Sequence, residues 1–219
     1  MFYIIGDTTI STDAINVFSI TPALDVTYTF TYSVAFSSGP GSAVSSFTVV
    51  GQTDIQVGVE SSTALAGAWT ASLQGQLDDP DSTTISEEFT LNLIKLEGTV
   101  SDQTYRIQSG TTKTVTFSAV THSPTGGNIP TYTYTYTLIG YASSVESVAD
   151  AGIFNIGTGT TTFDIATSDT SAALDYALAI KAVVAESTTA EHYMPFTAKL
   201  FTYTAQANDY QVYIYGSGS

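Results

Sequence analysis

Apolar and polar residues alternate along this chain with a period of two. Tyr28, Phe30, Tyr32 and Val34 fall on one side of an extended segment, and Thr27, Thr29, Thr31 and Ser33 fall on the other. Tyr132, Tyr134, Tyr136 and Leu138 repeat the pattern with Thr131, Thr133, Thr135 and Thr137 between them. Phe89, Leu91 and Leu93 alternate, as do Phe196, Ala198 and Leu200. Turn-forming clusters divide these segments: Ser38-Gly39-Pro40-Gly41, Asp78-Asp79-Pro80-Asp81 and Ser123-Pro124-Thr125-Gly126-Gly127-Asn128. No helical period of useful length is present. The stretches Ala142–Asp150 and Ser168–Asp175 each read as a loop or a single helical turn. Short strands between turns predict β-sandwich architecture.

The alternating segments are copies of one another. Thr27–Val34 is answered by Thr131–Leu138. Tyr3-Ile4-Ile5-Gly6 is answered by Tyr105-Arg106-Ile107, each followed by a Thr pair. Trp69, Ala71 and Leu73 are answered by Tyr176, Leu178 and Ile180; Phe89, Leu91, Leu93 and Ile94 are answered by Phe196, Ala198, Leu200 and Phe201. The segment Asp102–Ile107 is then echoed by Asp209-Tyr210-Gln211-Val212-Tyr213-Ile214. The expected organisation is two units, 1–95 and 96–207, followed at 208–219 by the opening strand of a further repeat or an inter-subunit donor strand. The junction Lys95–Asp102 has no Pro-rich or Ser-rich linker, so end-to-end packing with limited swing is expected.

The segment Ala66-Gly67-Ala68-Trp69-Thr70-Ala71-Ser72-Leu73-Gln74-Gly75, an acidic turn, and Glu88-Phe89-Thr90-Leu91-Asn92-Leu93 carry a family likeness. Each unit resembles a cadherin-like or immunoglobulin-like extracellular repeat of the dystroglycan-type group. The second unit matches through Tyr176, Leu178, Ile180, Phe196 and Leu200; it departs at Ala198, where the pattern has Leu, and lacks the Gly before the aromatic. The resemblance implies an all-β fold: two tandem immunoglobulin-like (cadherin-like) β-sandwich domains plus an extra C-terminal strand. It also implies spacer, adhesin or filament roles, outside the cell and on its surface.

Composition narrows the function. The net charge is −15 with five Lys and Arg in total, so no basic track exists for nucleic acid or an anionic membrane surface. No apolar run reaches the roughly 20 residues of a membrane span. Met1–Gly6 is too short for a signal peptide's apolar region and reads as a strand. There are no cysteines, and none of Asn16, Asn92, Asn128, Asn155 or Asn208 begins an N-glycosylation sequon. Hydroxyl-rich runs at Thr111–Thr116, Thr158–Thr162 and Ser187–Thr189 are candidates for O-linked glycans.

Candidate chemistry is sparse. His122 and His192 occupy different places in their units, with no Cys nearby and no Gly-x-Ser-x-Gly in the chain; both read as structural, and no enzyme is expected. Asp78, Asp79 and Asp81 form the one calcium candidate. The cadherin calcium motifs are missing, the cluster has no counterpart in the second unit, and a solvated turn is the better reading. No cofactor is expected. Trp69 reads as core because it repeats as Tyr176; Tyr132, Tyr134 and Tyr136, three in a row on one face, can also make a sticky or stacked surface. The candidate functional residues are Tyr210, Val212 and Ile214, an alternating strand that joins copies of the chain head to tail. The alternatives are a cadherin-like adhesin, with or without calcium, and a viral or phage capsid, tail or decoration protein.

Overall fold

The computed structural model describes residues 1–9, 11–16, 18–19, 28–39, 47–58, 62–79, 83–108, 110–126, 129–157, 159–187 and 189–203. Tyr210, Val212, Ile214 and Asp81 lie outside them. The fold is all-β. The strands are β1 (Phe2–Ile4), β2 (Ser11–Ala14), β3 (Phe30–Phe36), β4 (Phe47–Val50), β5 (Asp54–Val57), β6 (Gly67–Leu77) and β7 (Thr84–Glu97). They continue with β8 (Gln103–Arg106), β9 (Lys113–Thr116), β10 (Thr121–Ser123), β11 (Tyr134–Ala142), β12 (Val145–Val148), β13 (Phe154–Ile156), β14 (Thr162–Ile165), β15 (Asp175–Val184) and β16 (Glu191–Phe201). A single 3-10 turn precedes β6 (Thr63–Leu65) and another precedes β15 (Thr170–Ala172).

Each half is a larger sheet facing a smaller one. In the first half the order is β1-β7-β6-β3, opposed by β2-β5-β4. In the second it is β12-β11-β15-β16-β8, opposed by β13-β14-β9. The sheets meet through their alternating apolar faces. Val57 of the small sheet packs with Leu91 and Leu93 of the large one in the first half. In the second half Phe163 of β14 meets Phe196 of β16 with ring centroids 5.3 Å apart.

The sequence repeats fall in the same register. Trp69 stands opposite Leu91, and Tyr176 opposite Ala198. Ala71 stands opposite Phe89, and Leu178 opposite Phe196. Val34 pairs with Leu73 as Leu138 pairs with Ile180. The opening strands β1 and β8 each lie parallel to the last strand of their half, β7 and β16. Even the capping bonds repeat. Tyr32 Oη accepts from Phe18 N at 2.9 Å, and Tyr136 Oη from Val120 N at 3.0 Å. Trp69 Nε1 donates to Leu65 O at 2.9 Å, and Tyr176 Oη to Ala172 O at 3.3 Å, each onto the 3-10 turn four residues earlier.

Two places differ from the expectations above. Ala142–Asp150 holds no helical turn: Ser143 and Ser144, at φ 52° and 63°, turn the chain into β12, which returns along β11. A tight hairpin turn usually draws Gly or Asn at such φ values, and every residue of β12 is exposed, so neither a turn residue nor alternation marks it. Ser168–Asp175, in contrast, contains a single 3-10 turn, one of its two expected readings. The Tyr132–Tyr136 run is not a free surface, since Tyr132, Tyr134 and Tyr136 all pack against the second core.

Candidate functional site: the joint between the halves

β7 is 14 residues long and serves both halves. Its alternation changes phase at one point. Leu91 and Leu93 are fully buried in the first core; Ile94 and Leu96, at 0% and 5% exposure, are buried in the second. A strand presents successive side chains to opposite faces, so two consecutive buried residues mean that both faces are covered. β1 follows the same division. Tyr3 and Ile5 face the first core, while Ile4 joins the second. Beyond the first sheet, β7 is also paired by β10, with Glu97, Leu96 and Lys95 opposite Thr121, His122 and Ser123.

The turn after β1 clasps the second half. Gly6 takes φ +92°, a conformation glycine adopts freely, and Asp7 N closes the turn onto Ile4 O at 3.0 Å. Asp7 is 7% exposed. Its Oδ1 accepts Thr9 N at 2.8 Å, Thr9 Oγ1 at 2.6 Å and the hydroxyl of Thr189; its Oδ2 accepts Ser187 Oγ at 2.6 Å. Thr8 N donates to Thr189 Oγ1 at 3.3 Å. Burial works to raise the Asp7 pKa, but the bonds from Ser187, Thr189 and Thr9 outweigh it and hold the carboxyl below its ordinary value. The nearby Glu186 is held low by the Thr133 N–H, which reaches both its oxygens at 3.1 Å. A cavity of about 430 Å³ lies beside the clasp, lined by Phe2, Asp7, Tyr132 and Glu186 among others. The hydroxyls of Ser187 and Thr189, read from sequence as candidate glycan acceptors, are committed to Asp7.

Gly98 completes the joint. A Cβ there would lie 2.6 Å from Met194 Sδ, and Met194 is fully buried. His192 Nε2 lies 3.2 Å from Gly98 O, and His122 Nδ1 lies 3.1 Å from Pro124 O. Both histidines thus hold loop backbone. Asp78 is exposed, and its N–H donates to Thr29 O at 2.9 Å. Among the described residues no group of three His, Asp or Glu is placed to hold a metal ion, and no helix is long and apolar enough to cross a membrane.

A second polar cluster lies on the outer face of the second large sheet. Lys181 bridges Glu146 at 3.0 Å and Glu191 at 2.9 Å, and the Tyr193 hydroxyl donates to both carboxylates. Tyr141 stacks on Tyr193 at 5.1 Å. The hydrogen bonds that Lys181 donates to the two carboxylates raise its pKa against the opposing effect of burial, so it stays charged.

The joint was missed in sequence. Its one partial signal is the missing linker. Asp7 sits alone in Gly6-Asp7-Thr8-Thr9, and its partners lie 180 and 182 positions away.

No protein-family model and no curated protein sequence matches the chain. Among solved structures it is similar to the protocadherin gamma B7 extracellular cadherin domains 1–4, with TM-score 0.36 and 11% identity over 93% of this chain and 49% of that one. It is also similar to chicken VE-cadherin EC1-2, with TM-score 0.34 and 13% identity over 91% of this chain and 96% of that one. For the human desmocollin-1 ectodomain the TM-score is 0.31 and the identity 12%, over 91% and 38%. The chain thus spans about half the length of the first of these and all but a few per cent of the second.

Proposed function

We propose that this protein is a non-enzymatic, extracellular structural module, cadherin-like in build, whose two halves act as one stiff segment that copies itself head to tail into a surface filament. The observation that carries the reading is the phase change in β7, which buries Leu93 in one core and Ile94 in the other. A strand shared by two cores cannot swing without exposing one of them. Stiffness suits a spacer or fibre, where load passes from end to end. Residues 208–219 supply the link to the next copy. The net charge of −15 keeps neighbouring fibres apart.

Electron microscopy of the purified protein tests this. Thin filaments with an axial repeat of about 70–100 Å are expected from two stacked sandwiches of short strands. Removal of residues 208–219 is expected to abolish them and leave the melting curve unchanged. A truncated chain that still polymerises refutes the linkage.

A second reading, an adhesin that presents a face to a partner, draws on β12, where Val145 and Val148 are 65% and 94% exposed at a sheet edge. Beads coated with the protein would clump under this reading and stop clumping with Val145→Lys and Val148→Lys. Loss of clumping in a chelator would bring Asp78, Asp79 and Asp81 in as calcium ligands.

A further inference from the structure

One buried hydroxyl in the second half has nothing to bond. Tyr134 Oη is closed off from solvent, and among the described residues no hydrogen-bond partner reaches it. Buried polar groups are nearly always paired, because an unpaired one has given up its water for nothing. The repeat shows that packing does not require this hydroxyl. Tyr134 stands opposite Val184 as Phe30 stands opposite Leu77 in the first half. Two residues further on, Tyr136 and Tyr32 also share a place, and there both hydroxyls are bonded. Burial, with Tyr136, Tyr132 and Glu186 adding to it, pushes the Tyr134 pKa up to about 12. The group therefore keeps its proton at neutral pH and is a donor.

Tyr134 lines a cavity of about 310 Å³ formed by β10 and the segment that leads into β11. Val120, Ile129 and Pro130 give it apolar walls, and three threonines complete the lining. His122 and Tyr132 meet there edge-to-face, with ring centroids 5.8 Å apart. Pro124 O can only accept, so His122 Nδ1 donates to it at 3.1 Å, and Nε2 of the neutral ring is left to accept. Among the described residues no Asp, Glu, Lys or Arg lines the cavity, so an ionic ligand finds no counter-charge in it. A second cavity, of about 570 Å³, shares Thr125 and Ile129 with the first and runs on to Phe2, Ala68 and Asn92 of the first half.

We propose that the pocket under Tyr134 binds one sugar unit of an uncharged glycan. Its C–H face lies against Tyr132, a ring or hydroxyl oxygen accepts from Tyr134 Oη, and a hydroxyl donates to His122 Nε2. An uncharged lining that mixes apolar walls, aromatic rings and hydroxyls matches a ligand with an apolar face and a polar rim. Ligand pockets begin at about 300 Å³, so the first cavity takes a single ring and the second gives the chain room to continue. Because β10 pairs with the shared strand β7, a glycan seated here touches both halves.

A printed panel of uncharged and acidic glycans, offered both as free polysaccharide fragments and as O-linked glycopeptides, tests this. Binding is expected among the uncharged glycans, and the form that binds tells a polysaccharide from a protein-borne sugar. No binding to any uncharged glycan, or equal binding to the acidic ones, overturns the proposal. Titration calorimetry with the best binder then locates the site. Tyr134→Phe is expected to weaken affinity about tenfold. It is expected not to lower the melting midpoint, since Phe30 packs in the same place in the first half. His122→Phe is expected to weaken affinity by about three- to tenfold. Tyr176→Phe removes a hydroxyl that bonds Ala172 O away from the cavity, and is expected to change affinity by less than about twofold. Unchanged affinity in Tyr134→Phe overturns the site. A midpoint that falls in Tyr134→Phe means that the hydroxyl holds the fold, and overturns it as well.

Discussion

Trp69 and Tyr176 occupy the same place in the two halves, and their surroundings differ. The indole of Trp69 lies against Gly39 and Gly67, where a Cβ would come within 2.3 Å and 2.9 Å of the ring. Tyr176 is smaller, meets Phe154 edge-on at 5.1 Å, and has Leu174 where Trp69 has Gly67. Opposite them stand Leu91 and Ala198. Among the described residues, the first half packs as two separate groups, one around Leu91 and Leu93 and one around Tyr32 and Leu73. The second half packs as one group, and that group takes in Ile4, Ile94 and Leu96 from the first. The same strand register has thus produced a self-sufficient half and one that leans on it.

That asymmetry is broken most severely at Ile94. Ile94→Ala removes a fully buried side chain from the shared strand and is expected to cost about 2–5 kcal/mol. It is expected to lower one common transition of both halves. Leu91→Ala has the same chemistry but empties the first core alone. Trp69 is the only tryptophan, so its fluorescence reports the first half. Because the second core draws Ile4, Ile94 and Leu96 from β1 and β7, the Trp69 signal and far-ultraviolet circular dichroism are expected to melt together in Leu91→Ala. A Trp69 signal that melts first would mean that the second half stands without the first.

Gly98→Ala comes next. The added methyl meets Met194 Sδ, and Met194 has no exposed surface through which to withdraw, so about 1–3 kcal/mol is expected from overpacking. Gly152→Ala, in an exposed turn at ordinary φ with its nearest neighbour Asp150 Oδ1 at 3.1 Å, is the matched control and is expected to change the midpoint by far less.

The repeated frame was legible because alternation and duplication reinforce each other. Tyr3 with Tyr105, Trp69 with Tyr176 and Phe89 with Phe196 all occupy equivalent register positions, and each pair could be found by sliding the sequence along itself. What lies between the repeats was not legible in this way. β12 buries none of its residues and turns on two serines. Ile94 reads as one more apolar residue in a strand, because alternation does not say that a second core covers the other face. Asp7 depends on hydroxyls that sequence separation hides.

Asp7 therefore tests a contact that only the structure reveals. Asp7→Ala leaves the Ser187, Thr189 and Thr9 hydroxyls without their acceptor and is expected to cost about 1–3 kcal/mol. Its pH dependence has a definite sign. The folded pKa lies below the unfolded carboxylate value of about 3.9. The contribution is then fully present above that value and is lost as pH falls through the folded pKa. The stability gap between the natural chain and Asp7→Asn is expected to be constant above about pH 5 and to narrow below about pH 4. Denaturant melts at a series of pH values check this, and a gap that widens on acidification contradicts it.

The smallest effect sharpens the comparison most finely. Tyr3→Phe and Tyr105→Phe each delete one hydroxyl from equivalent sites and keep the ring. A typical hydrogen bond contributes about 0.5–1.5 kcal/mol net, so both losses are expected in that range. They need not be equal. The Tyr105 hydroxyl also lies 3.3 Å from Thr111 Oγ1 and 3.4 Å from both Thr167 N and Thr167 O, tying three segments of the second half together. Tyr3 holds Asp7 O, so its loss loosens the turn that carries the clasp. Tyr105→Phe is expected to act additively with Asp7→Ala. Tyr3→Phe is expected to fall short of additivity, because once the carboxylate is gone the turn has less to hold in place. A double-mutant cycle on each pair measures this. Equal coupling in the two cycles would mean that the opening strands brace their own halves alone, and the joint would then depend on Ile94 and Leu96 without the turn.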